Sequence, residues 1–108
     1  VNADGYDHNW VLDTDRSFEA VALSIVCPST GIRMDVHTDE PGIQIYSGNF
    51  LDSSVTGKKG IVYARRTAIC FESQKYPDSP NKTQWPSPVL RPGETYTSRC
   101  AYSFSVEK

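Results

Sequence analysis

The sequence holds little that would bind a metal or build a covalent cross-link. Cys27, Cys70 and Cys100 are its only cysteines, odd in number, far apart and without C-x-x-C spacing, which argues against a zinc site or a dithiol pair. Each sits among apolar or strand-forming neighbours, and the expectation is buried, reduced thiols in a reducing, cytoplasmic compartment. One disulfide with a thiol left over is the alternative. His8 and His37 stand alone, too few and without spacing to assemble a serine–histidine–acid or metal cluster. A basic stripe is also missing: acidic and basic residues are mixed and the formal net charge is −2, which argues against a nucleic-acid partner. No apolar run approaches the ~20 residues of a membrane span, and none reads as a secretory h-region. The glycine-lysine stretch "DSSVTGKKG" (52–60) lacks P-loop spacing and a following helix, so it reads as a flexible, solvated loop. An initiating methionine is absent too. Val1 stands first, and the chain reads as a processed product, an expressed piece or part of something longer.

What the sequence does have is a period of two. The 108 residues suit one small domain, residues 1–108, with little spare burial to stabilise it. "TYTSRCAYSFSVE" (95–107) alternates: Tyr96, Ser98, Cys100, Tyr102, Phe104 and Val106 share one face, and the intervening residues the other. "SFEAVALSIVC" (17–27) reads as a long strand, more buried on its Val21, Leu23 and Ile25 side. The turn "PSTG" (28–31) returns the chain into "IRMDVHT" (32–38), a predicted hairpin. "IQIYSG", "GIVYAR" and "TAICFE" are further predicted strands, and no helical stripe persists past two turns. The fold class is all-β.

The stretch 75–94 is a loop of a different kind, with five prolines in 20 residues. Structureless loops of this length are uncommon in compact domains and are usually functional or disordered. Proline reduces its unfolded entropy, and Trp85, Val89 and Leu90 can pin it, so it is expected to be ordered, extended and packed across a sheet. Two apparent motifs fail. "DTDR" (13–16) starts like a calcium loop, but Phe18 stands where glycine is required and Ser24 where the terminal glutamate belongs. "NKT" (81–83) matches a glycosylation acceptor by only three residues.

Three polar residues stand where the pattern predicts partial burial. Asp7 lies in "GYDHNWVL", Gln44 between Ile43 and Ile45, and Glu72 at the end of "AICF". Such groups need partners, and a ligand can supply them. Carboxylates and an amide among tyrosine and tryptophan are the groups that bind sugars, pairing with hydroxyls while aromatic faces cover C–H faces. Taken alone, each is also explained as a solvated or internally satisfied side chain; Glu72 reads as a solvated strand end or as a tuned acid–base group.

The ordered set "GYDHNWVL", "PGIQIYSGNFLD", "GKKGIVYARRTAICFESQKYPDSPN" and "WPSPVLRPGETY" resembles the C-terminal part of the aldose 1-epimerases, also called galactose mutarotases, from about Gly5 to Val106. The resemblance implies a large antiparallel β-sandwich, here only its C-terminal portion, with a sugar cleft on one sheet. It implies interconversion of the α and β anomers of aldohexoses such as galactose and glucose, without metal or organic cofactor. The general base of the family's motif falls on Glu72, and the hydroxyl-contacting residues fall on Asp7 and Gln44. A carboxylate in a partly desolvated cleft gains a raised pKa, which suits a base working near neutral pH.

The same resemblance implies an incomplete site. The family's general acid is a histidine, assisted by a second, and both belong to the N-terminal part. His8 matches the "DHN" histidine, which is not that acid, and His37 takes no role. The implied partners are an aldohexose and either the missing N-terminal portion or another copy of the chain, with no nucleic acid and no membrane. The alternatives are a non-catalytic carbohydrate-binding module that lacks the acid, and a sugar-phosphate epimerase, which would need Arg65, Arg66 or Arg91 to face the cleft.

Overall fold

The computed structural model describes residues 4–107; Val1 and both ends of the expected 1–108 domain lie outside the described residues. Among the described residues six strands form: β1 (Asp7–Val11), β2 (Leu23–Val26), β3 (Ile32–Thr38), β4 (Gly42–Tyr46), β5 (Cys70–Gln74) and β6 (Cys100–Val106). They make two three-stranded antiparallel sheets, β1-β4-β5 and β2-β3-β6. Among the described residues the helical content is two 3-10 turns, Lys58–Gly60 and Ser79–Asn81. The all-β expectation and the β2–β3 hairpin hold.

Period two explains how the sheets face each other. In the first sheet, Trp10, Ile43 and Ser73 align across the strands, as do His8, Ile45 and Phe71, giving one largely apolar face. In the second, Leu23, Val36 and Tyr102 align, and so do Ile25, Met34 and Phe104. These faces meet: Ile45, Ile69 and Phe71 line a common space with Leu23 and Ile25. The Tyr102 hydroxyl donates to the Phe71 carbonyl at 2.7 Å. Yet among the described residues the only fully buried apolar side chains are Val36 and Ile43.

The apposed sheets therefore form only part of a sandwich. The accessible surface is 7933 Å², against roughly 6,000 Å² for a compact chain of this size. The radius of gyration is 16.6 Å, against about 13 Å. Ile32, Tyr102, Phe104 and Val106 leave the inner side of β3 and β6 open to solvent. Sheets of this kind bury one face against another layer, and among the described residues nothing covers this area.

Several sequence expectations are corrected. The strand expected over 17–27 is confined to Leu23–Val26, because Ser17 and Ala20 close tight turns onto Thr14 and Ser17, and Asp15 and Arg16 have positive φ. "GIVYAR" contributes only an isolated bridge, Thr56 to Val62. Residues 95–99 leave the ladder, since Tyr96 donates to Glu40 and Arg99 pairs with Asp39 at 3.2 Å. All three cysteines are free, but none is buried: Cys27 and Cys100 are exposed and Cys70 is half-buried. Cys27 caps an open hairpin end, where hydrogen bonds from the Ser29 and Thr30 side chains lower its pKa to about 7.

Of the three anchors expected for the proline loop, Trp85 packs against Tyr76, while Val89 and Leu90 do not take part. Tyr76 meets Trp85 edge to face with centroids 5.5 Å apart, and Ser79 is buried, donating to the Tyr76 carbonyl at 2.6 Å. Val89 and Leu90 stay exposed and pin nothing. Both ends of the loop are fastened to Glu40, which is 2% exposed. Lys75 forms an ion pair with it and the Tyr96 hydroxyl donates to it. Burial pushes the Glu40 carboxyl up, but the hydrogen bonds from Lys75, Tyr96 and Ser98 outweigh that and hold it below its ordinary value.

Candidate functional site

The pairing register decides which side chains can act together. Asn9, Gln44 and Glu72 lie opposite one another across β1, β4 and β5, and Asp7 lies opposite Tyr46. Strand alternation puts all of these on the outer face, away from the apolar face that meets the second sheet. Asp7, Gln44 and Glu72 therefore converge, and with Tyr46, Phe50 and Gln74 they line one concavity of about 370 Å³. Three segments far apart in sequence are joined there by sheet hydrogen bonding, a rigid way to place side chains.

The polar groups are only partly satisfied. Gln44 Nε2 donates to Asp7 Oδ1 at 2.8 Å. That bond fixes the amide orientation and leaves Gln44 Oε1 buried without a partner. Such an acceptor costs on the order of 1–3 kcal/mol until a donor reaches it. Gln74 Nε2 donates to Asn9 Oδ1 at 3.1 Å, which ties the floor together behind Gln44. Glycine at position 42 makes room for this: a Cβ there would lie 2.9 Å from both Asn9 Oδ1 and the Tyr76 ring. The Glu72 carboxylate enters no hydrogen bond or ion pair among the described residues.

Partial burial was expected of all three marked residues, and only Gln44 shows it; Asp7 and Glu72 are exposed. The described elements build a floor and one side, where Pro77 of the proline loop reaches the concavity, and no described element covers the top. His8 points to the opposite face, aligned with Ile45, and His37 packs beside Phe18 at 6.3 Å on the second sheet. Neither can serve this site. Arg65 and Arg66 are drawn to Asp4, and neither they nor Arg91 line the concavity, so the cation cluster needed for a sugar phosphate is absent from it.

Tyr46, Gln74 and Asn9 were not singled out from sequence. Each lies two residues from a marked one on the same strand, so period two alone would have found them once the face was chosen. Phe50 follows β4 in a turn and has no periodic signal. Among the described residues no group of three or more His, Cys, Asp or Glu side chains is placed to hold a metal ion, and no helix is long and apolar enough to cross a membrane.

Two apposed antiparallel sheets make this part of a β-sandwich, with carboxylates, an amide and aromatic rings around an open concavity on the outer face of one sheet. The family model for aldose 1-epimerase matches residues 1–103, and the chain belongs to that family. It is 40% identical over 102 residues to a galactose mutarotase from Mus musculus, covering 94% of this chain and 30% of that protein. It is 39% identical over 106 residues to an aldose 1-epimerase from Escherichia coli, covering 95% and 30%. A crystal structure of a GalM/aldose epimerase homologue from C. elegans superposes with a TM-score of 0.81 at 30% identity, over 95% of this chain and 30% of that one. The chain thus spans about 30% of the length of these relatives.

Proposed function

We propose that the chain supplies the base and the hydroxyl-binding floor of an aldose 1-epimerase, acting on aldohexoses such as galactose and glucose. The observation that carries this reading is the convergence of Asp7, Gln44 and Glu72 in one concavity, where, among the described residues, Gln44 Oε1 has no donor and the Glu72 carboxylate has no hydrogen-bond or ion-pair partner. A sugar offers both: hydroxyl donors for the amide carbonyl, and an acidic anomeric hydroxyl for the carboxylate.

In this reading Glu72 accepts the proton of the anomeric hydroxyl as C1 becomes a carbonyl. The bond from C1 to the ring oxygen breaks, and its electron pair stays on that oxygen, which takes a proton from an acid. The open-chain aldehyde rotates about C1–C2, and the reverse steps close the ring on the other face. Asp7 accepts from one ring hydroxyl, and Gln44, fixed by Asp7, accepts from another. They hold the ring while C1 turns, so their interactions contribute to binding more than to the chemical step.

The acid must come from outside the described floor, since neither histidine reaches the concavity. The uncovered face of β3 and β6 and the coverage of only 30% of the relatives support a remainder of the same fold as the partner that completes the cleft. The exposure of Glu72 favours one second reading for the chain by itself, a sugar-binding module without turnover. Polarimetry of α-D-galactose and α-D-glucose separates the two. Mutarotation faster than the spontaneous rate by the full-length protein carrying this chain supports the enzyme. Sugar binding without acceleration, in that protein, favours the module.

A further inference from the structure

We infer that Phe50 is the platform on which the apolar C–H face of the bound sugar ring rests, a substrate-binding role that builds on the aldohexose reading above. Phe50 is 74% exposed, more than any other large apolar side chain described. A phenylalanine left in water forfeits most of its burial free energy. Here the exposure is enforced by a turn that is itself firmly held.

Asn49, the residue before it, is buried. Its side chain donates to the Tyr6 carbonyl at 2.8 Å and accepts from the Ser47 hydroxyl at 2.8 Å, while its backbone carbonyl accepts from Arg65 Nε at 3.2 Å. Gly48 has φ +65°, and a Cβ there would approach the Ala68 carbonyl to 2.9 Å, so the turn has one shape. The Phe50 backbone N–H donates to the Tyr46 hydroxyl at 2.9 Å. The two rings lie nearly parallel, 17° apart in plane with centroids 6.2 Å apart. Tyr46 thereby buttresses Phe50 and leaves its outer surface facing the concavity that Asp7, Gln44 and Glu72 also line.

The division of labour follows from the chemistry of a pyranose. Its hydroxyls project outward around the rim and suit the carboxylates and the amide. Its C–H groups form a weakly polar patch that an aromatic face covers without stranding a hydrogen-bonding group. Within the concavity Phe50 offers the exposed flat apolar surface, and its neighbour's hydroxyl is already engaged. Since hexoses differ in which C–H groups share a face, the fit to this ring also distinguishes among them.

The test uses the full-length protein carrying this chain, with Phe50→Ala, Phe50→Leu and Phe50→Trp assayed by polarimetry on α-D-galactose and α-D-glucose, and sugar binding followed by calorimetry. Phe50→Ala is expected to raise KM about 3- to 20-fold with kcat changed less than about threefold, and Phe50→Trp to keep KM near wild type. Phe50→Leu keeps bulk but loses the flat face, so it separates packing from stacking: its KM is expected to rise as well. The Phe50→Ala losses for the two sugars are expected to differ. An unchanged KM in Phe50→Ala or Phe50→Leu, or a fall in kcat alone, overturns the inference while leaving the epimerase reading standing. A wild-type protein that neither binds nor turns over hexose overturns both.

Discussion

The two sheets present outward polar faces that look alike in sequence and differ in how their groups are satisfied. On the β2-β3-β6 sheet, Asp35 accepts from Ser24 and pairs with Arg33 at 3.0 Å, and Arg33 pairs with Glu107 at 2.8 Å. Each charge there has a partner within the chain. On the β1-β4-β5 sheet, Gln44 Nε2 donates to Asp7, while among the described residues Gln44 Oε1 has no partner and the Glu72 carboxylate enters no hydrogen bond or ion pair. Polar groups that satisfy one another are accounted for by the fold, whereas polar groups held close but left open call for a partner, which under the proposed function is the sugar.

The comparison breaks first at Glu72 if the free carboxylate is not the base. In the full-length protein, Glu72→Gln keeps the shape and removes the proton acceptor. Turnover is expected to fall about 10²–10⁴-fold, with KM changed far less because Asp7 and Gln44 still hold the hydroxyls. Steady-state polarimetry corrected for spontaneous mutarotation measures both. Near-wild-type turnover would return Glu72 to a solvated strand end.

Glu40 sharpens the rule from the opposite side, since it is buried and fully engaged by Lys75 and Tyr96. Glu40→Gln strands the Lys75 ammonium and is expected to cost about 3 kcal/mol of stability, read as a lower urea midpoint. Adding Lys75→Met removes the stranded charge and is expected to recover much of the loss. The folded-state pKa of Glu40 lies below its ordinary value of 4.5. Its contribution is therefore complete above about pH 4.5 and lost as pH falls through the lower, folded value. Wild type is expected to lose stability more steeply than Glu40→Gln on acidification below pH 4.5.

How far the sequence revealed this arrangement differs by element. The alternation in "TYTSRCAYSFSVE" gave the faces of β6 correctly, because burial on one side imposes the period directly, and the turn "PSTG" placed β3 as the returning strand of a hairpin. Asp7, Gln44 and Glu72 stood out as polar residues in apolar surroundings, and the family motifs joined them. The stretch 17–22 has the apolar content of a strand, but positive φ at Asp15 and Arg16 sets up turns that single-residue patterns do not show. Glu40 was invisible for a related reason. Its partners Lys75 and Tyr96 lie at the two ends of a long loop, and only the tertiary fold brings them together. The cysteines misled because apolar neighbours in a strand predict burial only when a second layer covers that strand.

Gln44→Ala comes next in size. It removes the amide that Asp7 orients and the acceptor that awaits a donor. Sugar binding is expected to weaken by about tenfold, with a milder loss of kcat, the reverse of the Glu72→Gln pattern. Calorimetric titration with galactose, alongside polarimetry, distinguishes the two. Equal losses in kcat and kcat/KM would instead mean that Gln44 interacts only in the transition state.

The smallest effect is expected where the polar face is already closed. Asp35→Asn keeps the shape of the Ser24 and Arg33 contacts and removes the charge from a network at the surface, where ion pairs contribute little. The hydrogen bond from Ser24, with the Arg33 contact, holds the Asp35 carboxyl below its ordinary value of 3.8. Whatever it contributes is present above about pH 3.8 and lost below, as pH falls through the folded value. At neutral pH the variant is expected to melt no more than about 3 °C below wild type. Galactose KM and kcat should be unchanged, since Asp35 lies on the other sheet and its partners are all structural. Melting by circular dichroism and polarimetry on the same preparation decide the matter. A clear change in sugar kinetics without a change in melting would mean that the second sheet's outer face also takes part in recognition, and that the contrast between closed and open polar faces does not mark the site.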